Sequence, residues 1–161
     1  MIRIRPAMAF DAGSMARLLN AIIKQGGATA ITAQISSGDL ADWMAANDGR
    51  AAWHVAVNEK EEVIGFQWIE SASYLPPEAA EIATFVRIGQ TGLGIGSRLF
   101  DATRAAARVI GYKWINANIR ADNEGGLIYY QSRGFQDYGK IEDYEMSDDH
   151  IVDKVLKRYD L

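Results

Sequence analysis

The stretch Val86-Arg87-Ile88-Gly89-Gln90-Thr91-Gly92-Leu93-Gly94-Ile95-Gly96-Ser97-Arg98-Leu99-Phe100 decides how the rest of the chain is read. It has the form of a strand end, a glycine-rich turn and the first turns of a helix. Glycines at 92, 94 and 96 remove three side chains from one short bend, which lets the backbone take positive φ and approach a ligand closely. The first N–H groups of the following helix have no partner inside it, and the helix dipole favours negative charge there. Such a turn is a site for a phosphate or pyrophosphate, so a phosphate-bearing cofactor is expected here.

Outward from that turn, the composition sets bounds. A chain of 161 residues with 48% apolar and 24% charged residues is expected to form one domain, spanning 1–161, with its own core. There are no cysteines, which excludes disulfides and cysteine nucleophiles. The two histidines, His54 and His150, lie far apart and give no metal-ligand spacing, so no metal is expected. No leader and no apolar run near ~20 residues is apparent, so a cytoplasmic protein without a membrane partner is the expectation. A net charge of −4 argues against nucleic acid as a partner. The charge is uneven: residues 87–140 hold eight basic and four acidic side chains, a local +4, which leaves −8 for the remainder. The basic part contains the glycine turn, as a polyanionic cofactor requires, although ordinary helix-surface charge gives the same count.

The elements follow in order. Met1–Arg5 alternates as a short strand ended by Pro6, and Asp11 reads as the N-cap of a helix carrying Met15, Leu18, Leu19, Ile22 and Ile23 to Gly26-Gly27. Ala28–Ile35 reads as loop. Ser36 or Ser37 opens a second helix through Leu40, Trp43 and Met44, ending near Asn47-Asp48-Gly49. Strands are expected over Ala51–Val57, Val63–Ala72 and Ala79–Val86, the last feeding the turn. The helix after it places Ile95, Leu99, Ala102, Ala106, Val109 and Ile110 on one face and stops at Gly111. Lys113–Ile119 is a strand; Asp122 or Asn123 starts a helix through Tyr130, closed by Gly134-Phe135. Phe135–Tyr144 reads as a strand. The apolar set of 150–158 fits a strand or a helix. The order β-α-α-β-β-β-α-β-α-β-β implies an α/β chain with a mixed sheet and helices packed on it.

Three features carry a resemblance. Val86 is followed six residues later by Gly92-Leu93-Gly94-Ile95-Gly96; Asn123 stands about two turns ahead of Tyr130; and Tyr130-Gln131-Ser132-Arg133-Gly134-Phe135 ends the second helix. In this order and spacing they resemble the GNAT acyl-CoA N-acetyltransferase superfamily, with its (Arg/Gln)-Gly-x-Gly-Ile-Gly turn and Tyr-x-x-x-Gly-Phe ending. The resemblance spans nearly the whole chain. It implies a mostly antiparallel mixed sheet of about seven strands with about four helices. Thr91 departs from the family's Arg or Gln, which puts one side-chain contact in doubt. Glu81-Ile82-Ala83-Thr84-Phe85-Val86 resembles the small L-amino-acid acetyltransferases related to phosphinothricin resistance enzymes, which carry a glutamate five residues before the same valine.

The resemblance implies acetyl-CoA as cosubstrate and a set of residues for it. Main-chain groups of Thr84, Phe85 and Val86 are expected along the pantetheine arm, as if it were an added strand. Thr91, Gly92, Leu93, Gly94, Ile95, Gly96 and Ser97 are expected around the pyrophosphate. Asn123 is expected on the arm, its bland alternative being a helix cap. Tyr130 is expected to protonate the departing thiolate, its alternative being a core aromatic. An amine of pKa about 10 is mostly protonated at neutral pH, so a base is needed. Glu81, on the strand leading to the turn, is the candidate, with Glu70 second and a surface glutamate as the bland reading. Tyr129 points about 100° from Tyr130 and matches no family role. Without cysteine there is no acetyl-cysteine route, so direct attack of the amine in a ternary complex is expected.

The acceptor is expected to be a small primary amine, first an L-amino acid or analogue. An antibiotic, a polyamine or a protein N-terminus remains open. Trp43, Trp53, Trp68, Tyr74 and the loop Gly26–Ile35 are candidates for the acceptor pocket, or else core and dimer interface; a homodimer is neither supported nor excluded. Two other readings compete. A dinucleotide oxidoreductase requires G-x-G-x-x-G, which Gly92–Ser97 does not give. An acyl-CoA sensor without turnover has the same fold, and retention of Glu81 and Tyr130 argues against it.

Overall fold

The computed structural model describes residues 1–46 and 49–161. A seven-stranded sheet is built from β1 (Arg3–Pro6), β2 (Ala52–Val57), β3 (Val63–Glu70), β4 (Ala79–Val86), β5 (Trp114–Arg120), β6 (Gln136–Glu145) and β7 (Ile151–Asp160), in the order β1-β2-β3-β4-β5-β7-β6. Among the described residues the α-helices are α1 (Ala12–Gln25), α2 (Ser37–Ala45), α3 (Ile95–Ile110) and α4 (Glu124–Ser132). Every neighbouring pair of strands is antiparallel except β4–β5, which are parallel. The expected mixed α/β sheet of seven strands with four helices is therefore present.

The period of two along each strand divides the sheet into faces. Val55, Val57, Phe66, Trp68 and Phe85 pack against Met15, Leu19 and Leu40 of α1 and α2. Ile69, Ala80, Ile82, Ile115 and Ala117 pack against Phe100 of α3 and Tyr130 of α4. Trp53 and Trp68 stack at 4.5 Å inside the first layer, with Trp43 edge-on to both, so these tryptophans belong to the core. A Cβ on Gly65 would lie 3.0 Å from Ile95 Cγ2, so its absence lets the start of α3 settle directly on β3.

Several local expectations are corrected. Asp11 stands at the expected N-cap position of α1, but its side chain accepts from no N–H of that helix; its carboxylate accepts from Arg5 Nη1 and Nη2 at 2.8 and 2.9 Å and from the Met8 N–H, which opens the 3-10 turn Ala9–Asp11, at 2.7 Å. A nearby guanidinium outcompetes the loose donors of a helix start. β1 does end at Pro6 as expected, on an edge strand that tolerates a missing N–H. Val109 is 87% exposed; the inward face of α3 runs through Ile95, Leu99, Phe100, Thr103 and Ala107. β3 ends at Glu70, and Ser36 rather than Ser37 caps α2, accepting from the Asp39 N–H. The expected end of α2 at Asn47-Asp48 lies outside the described residues. Residues 151–160 are strand: β5 supplies a full antiparallel ladder from Trp114↔Asp160 to Arg120↔Lys154, which overrides a locally helical pattern.

Candidate active site

The glycine turn takes the backbone form its sequence implies. Gly94 is the residue before α3, in the left-handed region at φ 77° and ψ 7°, and Gly92 has φ 89°. Cβ atoms there would meet nothing within 4 Å, so glycine serves the dihedral and not the space. Arg98 is the first residue of the helix to donate back, to the Gly94 carbonyl at 3.2 Å. The N–H groups of 91–97 donate to no carbonyl among the described residues. Open donors, open space and a helix N-terminus fit the diphosphate of a nucleotide cofactor. Thr91 and Leu93 are exposed on this rim, whereas Ile95 is buried and contributes its main chain only.

The neighbouring strand end is also open. β4 and β5 pair only through Ala79↔Trp114, Ala80↔Ile115 and Glu81↔Asn116, although they run on to Val86 and Arg120. Beyond Glu81 they diverge, and alternate main-chain groups of 82–86 face the gap. The side chains of Phe85 and Val86 are committed to the layers on either side. An extended arm with amide groups fits there as an added strand.

On the α3/α4 face of the gap lies a polar chain. Tyr130 is buried, and its hydroxyl is 2.8 Å from Thr84 Oγ1. Gln67 Nε2 donates to Thr84 Oγ1 at 2.8 Å and to the Tyr129 hydroxyl at 3.1 Å; Tyr129 in turn donates to the Gly96 carbonyl at 2.7 Å. Burial raises Tyr130 above the ordinary tyrosine value, which keeps its proton in place. Burial likewise lifts Tyr129 to about 12. A Cβ on Gly96 would lie 2.6 Å from Tyr129 Cε1, so the third glycine of the turn makes room for this ring. Tyr129, which matched no role in sequence, ties α4 to the turn.

On the opposite face, Glu81 is partly buried. Its carboxylate accepts from Asn116 Nδ2 at 3.0 Å and from the Tyr74 hydroxyl. Tyr74 oxygen also accepts from Asn116 at 3.0 Å and Asn118 at 3.3 Å, and Tyr138 donates to Asn116 Oδ1. Burial raises the Glu81 carboxyl above its ordinary value, while the bonds from Tyr74 and Asn116 hold part of that rise back. Glu70, paired with Glu81 across β3–β4 and hence on the same face, is raised too by burial, and accepts from Trp43 Nε1 at 2.9 Å. The two expected bases are therefore neighbours, with Glu81 the one beside the gap.

Asn123 caps α4: its Oδ1 accepts from the Gly126 N–H at 3.1 Å, and its Nδ2 donates to the Ala28 carbonyl at 3.2 Å. It thereby clips the 26–35 loop to α4. Sequence reasoning passed over Asn116, Asn118, Tyr138 and Gln67. A signal existed for the asparagines: Trp114-Ile115-Asn116-Ala117-Asn118-Ile119-Arg120 places a polar residue at every second position of a central strand. Gln67, between Phe66 and Trp68, is a similar interruption.

The model of the Acetyltransferase (GNAT) family matches residues 15–135. No curated protein matches the chain significantly. Among solved structures, an N-acetyltransferase from Staphylococcus aureus Mu50 superposes with a TM-score of 0.89 at 22% identity, over 99% of this chain and 98% of that one. A ribosomal-protein-alanine N-acetyltransferase from Brucella melitensis gives 0.90 at 20% identity, over 99% of each chain. A phosphinothricin acetyltransferase from Sinorhizobium meliloti in complex with acetyl-CoA gives 0.87 at 19% identity, over 99% of this chain and 88% of that one. At such identities the neighbours share the fold, while the family follows from the model match over most of the chain. This chain belongs to the acetyltransferase (GNAT) family.

Proposed function

We propose that residues 1–161 form one N-acetyltransferase domain that moves an acetyl group from acetyl-CoA to the primary amine of a small molecule, an L-amino acid or analogue, by direct attack. The observation that carries this is the adjacency of three features on β4: the unpaired strand end 82–86, the turn whose N–H groups lack acceptors, and a partly buried carboxylate at Glu81. In this reading the main chain of Thr91–Ser97 holds the diphosphate, and that of Thr84–Val86 holds the pantetheine arm. Asn123 adds a side-chain contact to the arm if it releases Ala28. Acetyl-CoA supplies the thioester whose acyl group is transferred.

The remaining work falls to the chain. Glu81 takes a proton from the incoming ammonium, directly or through water, and its raised carboxyl suits that task better than an ordinary glutamate. Tyr130 gives a proton to the departing sulfur, and the Thr84 oxygen fixes where its hydroxyl points. Most of the acceleration comes from holding both reactants in line.

The test is thiol release from acetyl-CoA over a panel of primary amines, alongside calorimetric CoA binding. Turnover with small amino acids and analogues is expected. Tight CoA binding with no turnover on any amine overturns the reading in favour of a sensor.

A further inference from the structure

Lys154 is the anomaly of the acceptor side. It is 5% exposed, on β7, opposite Arg120 of β5. The other two buried charged side chains are matched: Asp11 by Arg5 and Lys157 by Asp137. Lys154 has no carboxylate and no hydrogen-bond acceptor within reach among the described residues. Its ammonium lies 3.5 Å from the centre of the Tyr144 ring. Arg120, the nearest like charge, is neutralised by a bidentate contact with Asp122 at 2.9 and 2.8 Å. Buried charges are ordinarily paired, because an isolated one loses its hydration without return.

The register puts this cation on the face that carries Glu81. Glu81 pairs with Asn116, and Asn118 and Arg120 follow on the same side of β5. Lys154 is thus four residues along β5 from the carboxylate, ~13 Å of backbone. The flexible stem shortens that separation, and the two groups sense each other electrostatically. Between them Asn118 Oδ1 is a buried acceptor without a partner. Next to Arg120 opens a cleft of about 380 Å³, walled by Ile23, Ile31 and Val152 on its apolar part and by Asp122, Asp148 and His150 on its polar part. One side therefore offers an acceptor for N–H and a proton acceptor, the other an unpaired ammonium, and beside them lies a recess of mixed polarity.

We propose that Lys154 is the residue that recognises the carboxylate of an amino-acid acceptor, with the acceptor's side chain lodged in the cleft beside Arg120 and the amine towards Glu81. This rests on the acetyltransferase reading above and sharpens it: the acceptor class becomes α-amino acids with a free carboxylate rather than amines that lack one. The alternative role for Lys154 is to tune Glu81 through its charge. A tuning residue shifts the pH profile for every acceptor alike, whereas a carboxylate-binding residue changes KM for acids alone.

The experiment compares L-leucine, L-leucinamide and 3-methylbutylamine as acceptors, which keep one apolar group and vary the carboxylate. Wild-type protein is expected to favour L-leucine in kcat/KM by at least about tenfold over 3-methylbutylamine. K154M is expected to lower kcat/KM for L-leucine about 30- to 100-fold, mainly through KM, and to change the two acceptors without a carboxylate less than threefold. K154R is expected to recover part of the loss, and CoA affinity is expected to stay unchanged. Equal losses on all three acceptors, or a shifted pH profile for all three, overturn the inference. Should the variants fold poorly, the wild-type preference decides alone: turnover of the acceptors without a carboxylate, with no preference for L-leucine, overturns the inference and leaves acetyl transfer intact. No turnover of any amine overturns the acetyltransferase reading and this inference with it.

Discussion

Glu81 and Tyr130 approach the same strand from opposite faces of the sheet. The Glu81 carboxylate is held by Asn116 and Tyr74 on the α1/α2 side, while the Tyr130 hydroxyl meets Thr84 on the α3/α4 side. They share no hydrogen bond, so a proton cannot pass directly from one to the other. In the proposed acetyl transfer each exchanges protons with a different reactant, one on the amine side and one on the sulfur side.

That separation predicts independent effects. E81Q is expected to lower kcat about 100-fold or more, the usual scale for a lost general base. Y130F is expected to cost less, about tenfold, because a thiol of reference pKa about 8.5 departs fairly well unaided. The double variant is expected to show the product of the two losses, as for sites without shared partners. Steady-state kinetics of the three variants checks this; a double variant no worse than E81Q alone contradicts it.

The Tyr74 bond makes a pH prediction. Glu81 must be ionised to act as a base, so activity rises with pH through its pKa. Burial places that limb above the ordinary carboxylate value of 4.5. Tyr74 donates to the charged form and lowers the pKa, so Y74F is expected to move the limb to higher pH. The kcat/KM profile with one fixed acceptor, whose own amine titration is common to both proteins, measures the difference.

Gly96 predicts a steric effect at a distance from the ligand. A methyl group in G96A meets Tyr129 Cε1 at 2.6 Å and must displace the ring that donates to the Gly96 carbonyl. Overpacking of this kind costs about 2 kcal/mol, which for a chain this size lowers the melting temperature by about 4–8 °C. CoA affinity is expected to fall as well, because the first turn of α3 shifts. Y129L in the same background is expected to recover stability, as read by thermal unfolding.

Asp11 predicts acid sensitivity. Burial pulls its carboxyl up, but the bonds from Arg5 and the Met8 N–H outweigh burial and leave the folded pKa below its ordinary 3.8. A carboxylate lowered on folding stabilises above its unfolded pKa and loses that contribution as pH falls through the folded value. D11N, which leaves Arg5 without its partner, is expected to cost about 3 kcal/mol at neutral pH. It is also expected to flatten the acid side of the stability profile below about pH 4. Denaturant melts between pH 2 and 7 test both.

The architecture was legible where local signals agreed. The strand, turn and helix around 86–100 could be read because glycine spacing and apolar period change together at one place. β7 could not, because Ile151, Val152, Val155 and Leu156 satisfy two periods, and only the unpaired side of β5 chooses between them. Asp11 was legible as the N-cap position of α1, but not the diversion of its carboxylate to Arg5, which lies in another element. The candidate site divides the same way. The turn and Tyr130 lie in contiguous motifs, whereas Tyr74 and Tyr138 meet Asn116 only through the folding of distant segments onto β5, which no local pattern encodes.

The short parallel join between β4 and β5 has a consequence for cohesion. In the backbone ladder three residue pairs link one leaf of four strands to another of three, and the cluster of Ile82 with Ile115 and Ala117 supplies the rest of the join. On the proposed reading, a ligand strand lying in the cleft beyond those pairs would hydrogen-bond the edge of one leaf and brace the other, acting as a rivet. Bound coenzyme is then expected to raise the cost of parting the two leaves.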